Sequence, residues 1–173
     1  MNVILEILKY VLPAMIVLIT AYFLIKSFLD QETKKTMLEV KKQNQKMITP
    51  VRLQAYERMV LFLERINPES LLVRLQVQGQ NSSQLHRELL SLVRAEYEHN
   101  LSQQIYLSPQ SWTLIKNAKE NIIKLINTAG DRVKPESPSI ELAGLIIEMH
   151  AQLEASPINI SLTFIKEEVA REF

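Results

Sequence analysis

A chain of 173 residues with Lys+Arg 20 against Asp+Glu 19 carries almost no net charge, so no global field recruits nucleic acid and no nucleic-acid partner is expected. Cysteine is absent, which excludes disulfides, thiolate nucleophiles and cysteine-held zinc or iron-sulfur clusters. With Gly at only 3 and Leu, Ile, Lys, Gln and Glu abundant, the composition predicts an all-α protein, and the length suits an anchor plus one domain of about 120 residues.

Residues 10–25 read "YVLPAMIVLITAYFLI", without a charge. At 1.5 Å per residue this covers about 24 Å, short of a hydrocarbon thickness of roughly 30 Å. Leu5, Ile7, Leu8, Phe28 and Leu29 extend it, and Lys9 and Lys26 can reach towards headgroups. Pro13 is a candidate kink. Glu6 and the lack of a small-x-small pattern argue against a cleaved signal peptide. The expectation is a transmembrane anchor over 1–29. Lys26, Lys34, Lys35, Lys41, Lys42 and Lys46 follow it, against Lys9 and the α-amino group before it. The positive-inside rule then places the rest of the chain in the cytoplasm, at a bacterial inner membrane. Lys9, Lys26, Lys34 and Lys35 are the expected contacts to the lipid bilayer.

Residues 30–48, "DQETKKTMLEVKKQNQKMI", are polar helix formers and predict a stalk. Met37, Val40, Asn44 and Met47 follow a 3-4-3 spacing, a short coiled-coil seam. A compact multi-helix domain is expected over 49–173. Thr49-Pro50, Asn67-Pro68, Ser108-Pro109 and Ser137-Pro138 each set a capping side chain before a proline at a first helical position. Gly79 and Gly130 read as stops, and Asn81 or Ser82 as a further cap. Helices are predicted over 50–66, 68–77, 82–107, 109–128 and 138–155. Residues 158–164 alternate like a strand, while Ile158, Leu162, Ile165 and Val169 fit a helix; with no second strand evident, helix is preferred.

Candidate core faces are Met59, Val60, Leu61, Phe62, Leu63 and Ile66 in the first helix of the domain, and Trp112, Ile115, Ala118, Ile122, Leu125 and Ile126 after Pro109. Lys116, Glu120 and Lys124 are spaced to pair outside.

The stretch "AEYEHNLSQQIYLSP", residues 95–109, concentrates the polar chemistry. At about 100° per residue, Leu90, Val93, Tyr97, Leu101 and Ile105 form an apolar stripe. Asn100 and Gln104 fall beside or within it, as candidates for burial. Glu96, His99, Gln103 and Tyr106 gather opposite, as a polar network, an interaction face, or a site for a small ligand or metal. Glu96-x-x-His99 has the carboxylate-imidazole spacing of di-iron bundles, but Glu148 and His150 cannot supply a second such pair. His86 and His150 read as ordinary surface or core histidines. No P-loop, dinucleotide fingerprint or nucleophile elbow occurs, so no metal, cofactor or enzymatic activity is expected.

"RLQAYERMVLFLERINPESLLVRL", "EYEHNLSQQIYLSPQSW" and "IKNAKENIIKLIN" resemble an uncharacterised family of small bacterial single-pass membrane proteins. That resemblance implies an N-terminal anchor and a helical cytoplasmic domain, and supplies no catalytic residue. The functional expectation is a protein-interaction or scaffolding module holding a protein partner or its own copies. The alternatives are a ligand or metal sensor or enzyme using Glu96, His99, Gln103 and Tyr106, and a stalk-like subunit of a membrane complex.

Overall fold

A computed structural model describes residues 2–75 and 79–173, in two units, Met1–Ile48 and Thr49–Phe173. The helices are α1 (Asn2–Arg65), α2 (Pro68–Leu75), α3 (Ser82–Asn100), α4 (Pro109–Gly130), α5 (Ser139–Ala151) and α6 (Pro157–Glu172), with a 3-10 segment, Leu101–Ile105, after α3. No strand forms among the described residues, and the ambiguous end of the chain is helix α6.

The first correction is at Pro50. A helix start was expected there, but α1 runs through Pro50 as it does through Pro13. A proline inside a helix removes one N–H and crowds the carbonyl four residues back, at about 3 kcal/mol. Burial of Ala55, Tyr56, Met59, Phe62, Leu63 and Ile66, together with the helix formers before Pro50, offsets that cost.

Among the described side chains of the first unit none is buried: the apolar ones from Leu8 to Leu29 are all exposed, and the most apolar window has a mean hydropathy of 2.0 with 0 % buried. One helix here is long and apolar enough to cross a membrane.

In the second unit α4 is the hub, packing on α3, α5 and α6, while α2 packs on α3 and α5. Ile115, Ala118, Ile122, Leu125, Ile126 and Ala129 of α4 are buried, in line with the periodicity, and Trp112 lies half-buried beside them. Phe62 of α1, Tyr97 of α3 and Trp112 of α4 form an aromatic ladder, with centroids 5.9 Å and 5.6 Å apart. Lys119 caps it, its Nζ 4.2 Å from the Tyr97 ring centroid. Lys119 also pairs with Glu120 at 2.8 Å, in place of the expected Lys116 and Lys124 pairs. That hydrogen bond, against the opposing effect of burial and with the charges of Lys119, Lys116 and Arg94, holds the Glu120 carboxyl below its usual value.

The connections follow local chemistry. Asn81 caps α3 through a reciprocal capping box with Gln84, and Ser108 caps α4 through the Ser111 N–H. Gly79 takes a left-handed φ of 81°; the predicted helix end at 77 lies outside the described residues. Gly130 is the last residue of α4, as expected of a stop, and it also makes room, because a Cβ there would lie 2.7 Å from Cδ2 of His86, whose Nε2 meets Asn127 Oδ1 at 3.0 Å. At Ser137-Pro138 the expectation shifts by one residue: Pro138 is the N-cap and Ser139 opens α5. The backbone of Ser137 is already committed, its carbonyl accepting from the Ser82 N–H at 2.8 Å.

Candidate functional site

The predicted helix over 82–107 does not survive Asn100. It tightens into the 3-10 segment, where three residues per turn replace 3.6 and rotate every following side chain out of the stripe. Val93 is buried and Leu90 and Tyr97 are half-buried, but Leu101 is exposed and Ile105 is 73 % exposed. The apolar stripe therefore ends at Tyr97. Asn100 is buried as expected, its Nδ2 donating to the Glu96 carbonyl at 2.8 Å. Gln104, read as a burial candidate, is exposed.

Glu96 has a specific occupation. Its two carboxylate oxygens take one arginine each, Arg74 Nη1 at 3.2 Å and Arg65 Nη1 at 3.1 Å, and its side chain is only 13 % exposed. Arg74 Nη2 also donates to the Arg65 carbonyl at 2.6 Å, satisfying an acceptor at the end of α1. This one carboxylate ties α1, α2 and α3 together. Its former companions go elsewhere. His99 is exposed at the rim of an open depression of about 340 Å³ with Gln54, Glu57, Arg58, Leu61 and Arg65. Gln103 Nε2 donates to Ser102 Oγ at 3.3 Å, and Tyr106 contributes its carbonyl to Arg52 Nε at 3.3 Å. The four side chains do not converge on one pocket. Among the described residues no group of three or more His, Asp or Glu could hold a metal ion. The other two histidines are engaged locally, His150 lying 3.4 Å from Ser156 Oγ.

A second polar cluster, built from sequence-distant residues, was not anticipated. Ser111 of α4, 0 % exposed, donates its hydroxyl to Glu168 of α6, 3 % exposed. Arg52 of α1 pairs with Glu172 and lies 5.5 Å from the Phe173 ring centroid. Tyr56, one turn beyond Arg52, is buried with no hydrogen-bond partner on its hydroxyl. Burial first, then the charges of Glu168 and Glu172, push the Tyr56 phenol above its ordinary value. Arg52 favours the phenolate and offsets part of this, but its N–H groups are aimed at Glu172 and the Tyr106 carbonyl. Burial also opposes the charge on Arg52; Glu172 and the neighbouring Tyr56 together leave the guanidinium above its usual value. A hydroxyl beside a carboxylate could suggest an activated nucleophile. Ser111 is closed to any substrate, however, and its partner is not a histidine, so the pair ties α4 to α6.

Above the Glu96 node, Leu61, 56 % exposed, and Val73, 82 % exposed, share an open groove of about 740 Å³ walled by Glu64, Arg65, Glu69 and Arg74. The sequence placed Leu61 in the core; it faces out because α1 buries the side holding Met59, Phe62, Leu63 and Ile66. On the first unit, Lys9, Lys26, Lys34 and Lys35 are all exposed.

A search of curated proteins found no match, and a search of solved structures found none. Residues 2–172 match the model of a family described as a family of unknown function (DUF7935), and with nearly the whole chain covered, the protein belongs to that family.

Proposed function

We propose that this protein is a non-enzymatic, membrane-tethered helical interaction module, anchored by residues 1–29 in a bacterial inner membrane with its second unit in the cytoplasm. The observation that carries this reading is the exposed apolar stretch of α1 in the first unit. So much uncovered Leu, Ile, Val and Phe surface calls for lipid, since monomeric soluble proteins rarely leave a patch of that extent in water. The downstream lysines support the orientation. The Leu61 and Val73 groove supports a protein-binding role, because two large apolar side chains face outward inside a ring of charge, the anatomy of an interface centre and rim. The sensor or enzyme alternative loses its geometric support where Glu96 is consumed by two arginines.

The reading is tested by fractionating cells that express the full chain. The protein should stay with membranes through an alkaline carbonate wash, and protease should reach the second unit only from the cytoplasmic side. Release by carbonate would overturn the anchor. Affinity purification should then recover a stoichiometric protein that a Leu61→Asp, Val73→Asp variant loses; identical recoveries would remove the groove from the proposal.

A further inference from the structure

The depression between α1 and the end of α3 gathers polar groups that the fold leaves unused. At about 340 Å³ it reaches the lower end of the range for small-molecule sites, about 300–1,000 Å³. Of the residues first read as one polar face, only His99 lines it; Glu96, Gln103 and Tyr106 do not. Its walls are otherwise Glu57, Arg58, Leu61 and Arg65 of α1 and Asn100 at the end of α3.

Exposed charges alone would be ordinary hydrated surface, and Asn100 is what makes a site of them. It is 7 % exposed, and its Nδ2 donates to the Glu96 carbonyl at 2.8 Å, which fixes the amide in place. No described residue donates to its Oδ1, yet the enclosed orphan atoms among the described residues are Tyr56 Oη and Gln80 Oε1 alone. The Asn100 Oδ1 therefore keeps a path to solvent, through the depression that the residue lines. A buried acceptor left open in this way calls for a donor.

The charges around it are of both signs. Arg65 reaches Glu96 through Nη1, and because Arg74 shares that one carboxylate, the three groups together keep a surplus positive charge. Arg58 lies two turns earlier on α1, about 10 Å along the helix, with Leu61 between the two arginines. Neither Arg58 nor Glu57 forms an ion pair among the described residues.

We propose that this depression binds a free α-amino acid with an aliphatic side chain. Its carboxylate meets Arg58 and Arg65, whose planar guanidiniums suit that group. Its ammonium donates to Glu57 and to the Asn100 Oδ1, two acceptors that a simple anion cannot satisfy. Its side chain lies against Leu61, which is 56 % exposed. A second carboxylate on the ligand would meet Glu57, so acidic amino acids are poor candidates. This site goes beyond the interaction reading and does not rest on it, since neither the anchor nor Val73 takes part.

The test titrates the full-length protein in detergent with leucine, isoleucine and valine, followed by ligand-observed NMR. Acetate, methylammonium, inorganic phosphate and glutamate are the comparators. At least one aliphatic amino acid should saturate a single site at a concentration tenfold below that of any comparator. Arg58→Ala and Glu57→Gln should each weaken it at least fivefold at an unchanged denaturation midpoint, because both side chains are exposed and unpaired among the described residues. Val73→Asp, which strikes only the neighbouring groove, should leave amino-acid binding as it was. The proposal is overturned if no aliphatic amino acid saturates, if acetate or phosphate binds equally well, or if binding survives both α1 substitutions. Loss of binding on Val73→Asp would move the ligand to the groove and overturn it too. None of these results bears on membrane retention or on recovery of a protein partner, so the interaction reading stands or falls separately.

Discussion

Glu96 and Glu168 are both glutamates largely withdrawn from water, yet they are held in opposite ways. Glu96 sits between two guanidiniums whose outer sides remain wet, Arg65 at 54 % and Arg74 at 37 % side-chain exposure. Glu168 sits between α4 and α6 with a serine hydroxyl as its hydrogen-bond donor and no ion pair among the described residues. A carboxylate flanked by half-solvated cations keeps alternatives when one is lost. A buried carboxylate held by one small donor has none, so the lesser residue of the pair has the greater leverage.

The sharpest way to break this contrast is Ser111→Ala. It removes the donor, leaves the Glu168 oxygen inside the protein, and should destabilise the second unit by about 2–3 kcal/mol, read as a lower denaturation midpoint at unchanged slope. The double variant Ser111→Ala, Glu168→Met should recover much of that loss, because exchanging both polar partners for apolar groups of similar volume removes the stranded oxygen. If the double variant proved as unstable as the sum of the single ones, the pair would not be coupled.

Glu96→Ala should cost less, about 1–2 kcal/mol, since Arg65 and Arg74 can turn to water and Arg74 keeps its bond to the Arg65 carbonyl. Glu96→Gln should fall between wild type and alanine, and raised salt should narrow the gap between wild type and both variants. A loss equal to that of Ser111→Ala would erase the distinction between the two sites.

The contrast also marks what the sequence could convey. Helices announced themselves where local chemistry acts alone: the Asn81 and Ser108 caps and the α4 periodicity. The same Xaa-Pro signature at Ser156-Pro157 opens α6 and was there to be read. Two starts went wrong because tertiary partners intervened, burial carrying α1 through Pro50 and the backbone pairing of Ser82 with Ser137 moving the start of α5. The Glu96 stretch was visible as a polar concentration, but its partners Arg65 and Arg74 lie on other helices. Glu168 left one usable signal. It falls on the face of α6 that carries Ile158, Ser161, Leu162 and Ile165, where a charge is out of place. Its proximity to Ser111 and Tyr56 depends on helix packing that no spacing rule encodes.

Tyr56 supplies the smallest expected effect and the finest probe of the Glu168 cluster. At neutral pH, Tyr56→Phe removes a buried hydroxyl that has no partner, so stability should change by less than about 1 kcal/mol, in the direction of a gain. The separation grows at high pH. The folded phenol titrates above its ordinary value of 10.0, chiefly because of burial and then the Glu168 and Glu172 charges. Below the unfolded value both states hold the proton and this contribution is intact. As pH rises past it, the unfolded chain releases the proton while the folded chain retains it, so wild type loses stability until the folded group also ionises. Phenylalanine cannot titrate, and the remaining tyrosines contribute equally to both proteins. Denaturation midpoints measured from pH 7 to 11 should therefore diverge above pH 10, the variant holding the higher value; parallel curves would mean that the hydroxyl is not enclosed beside those carboxylates.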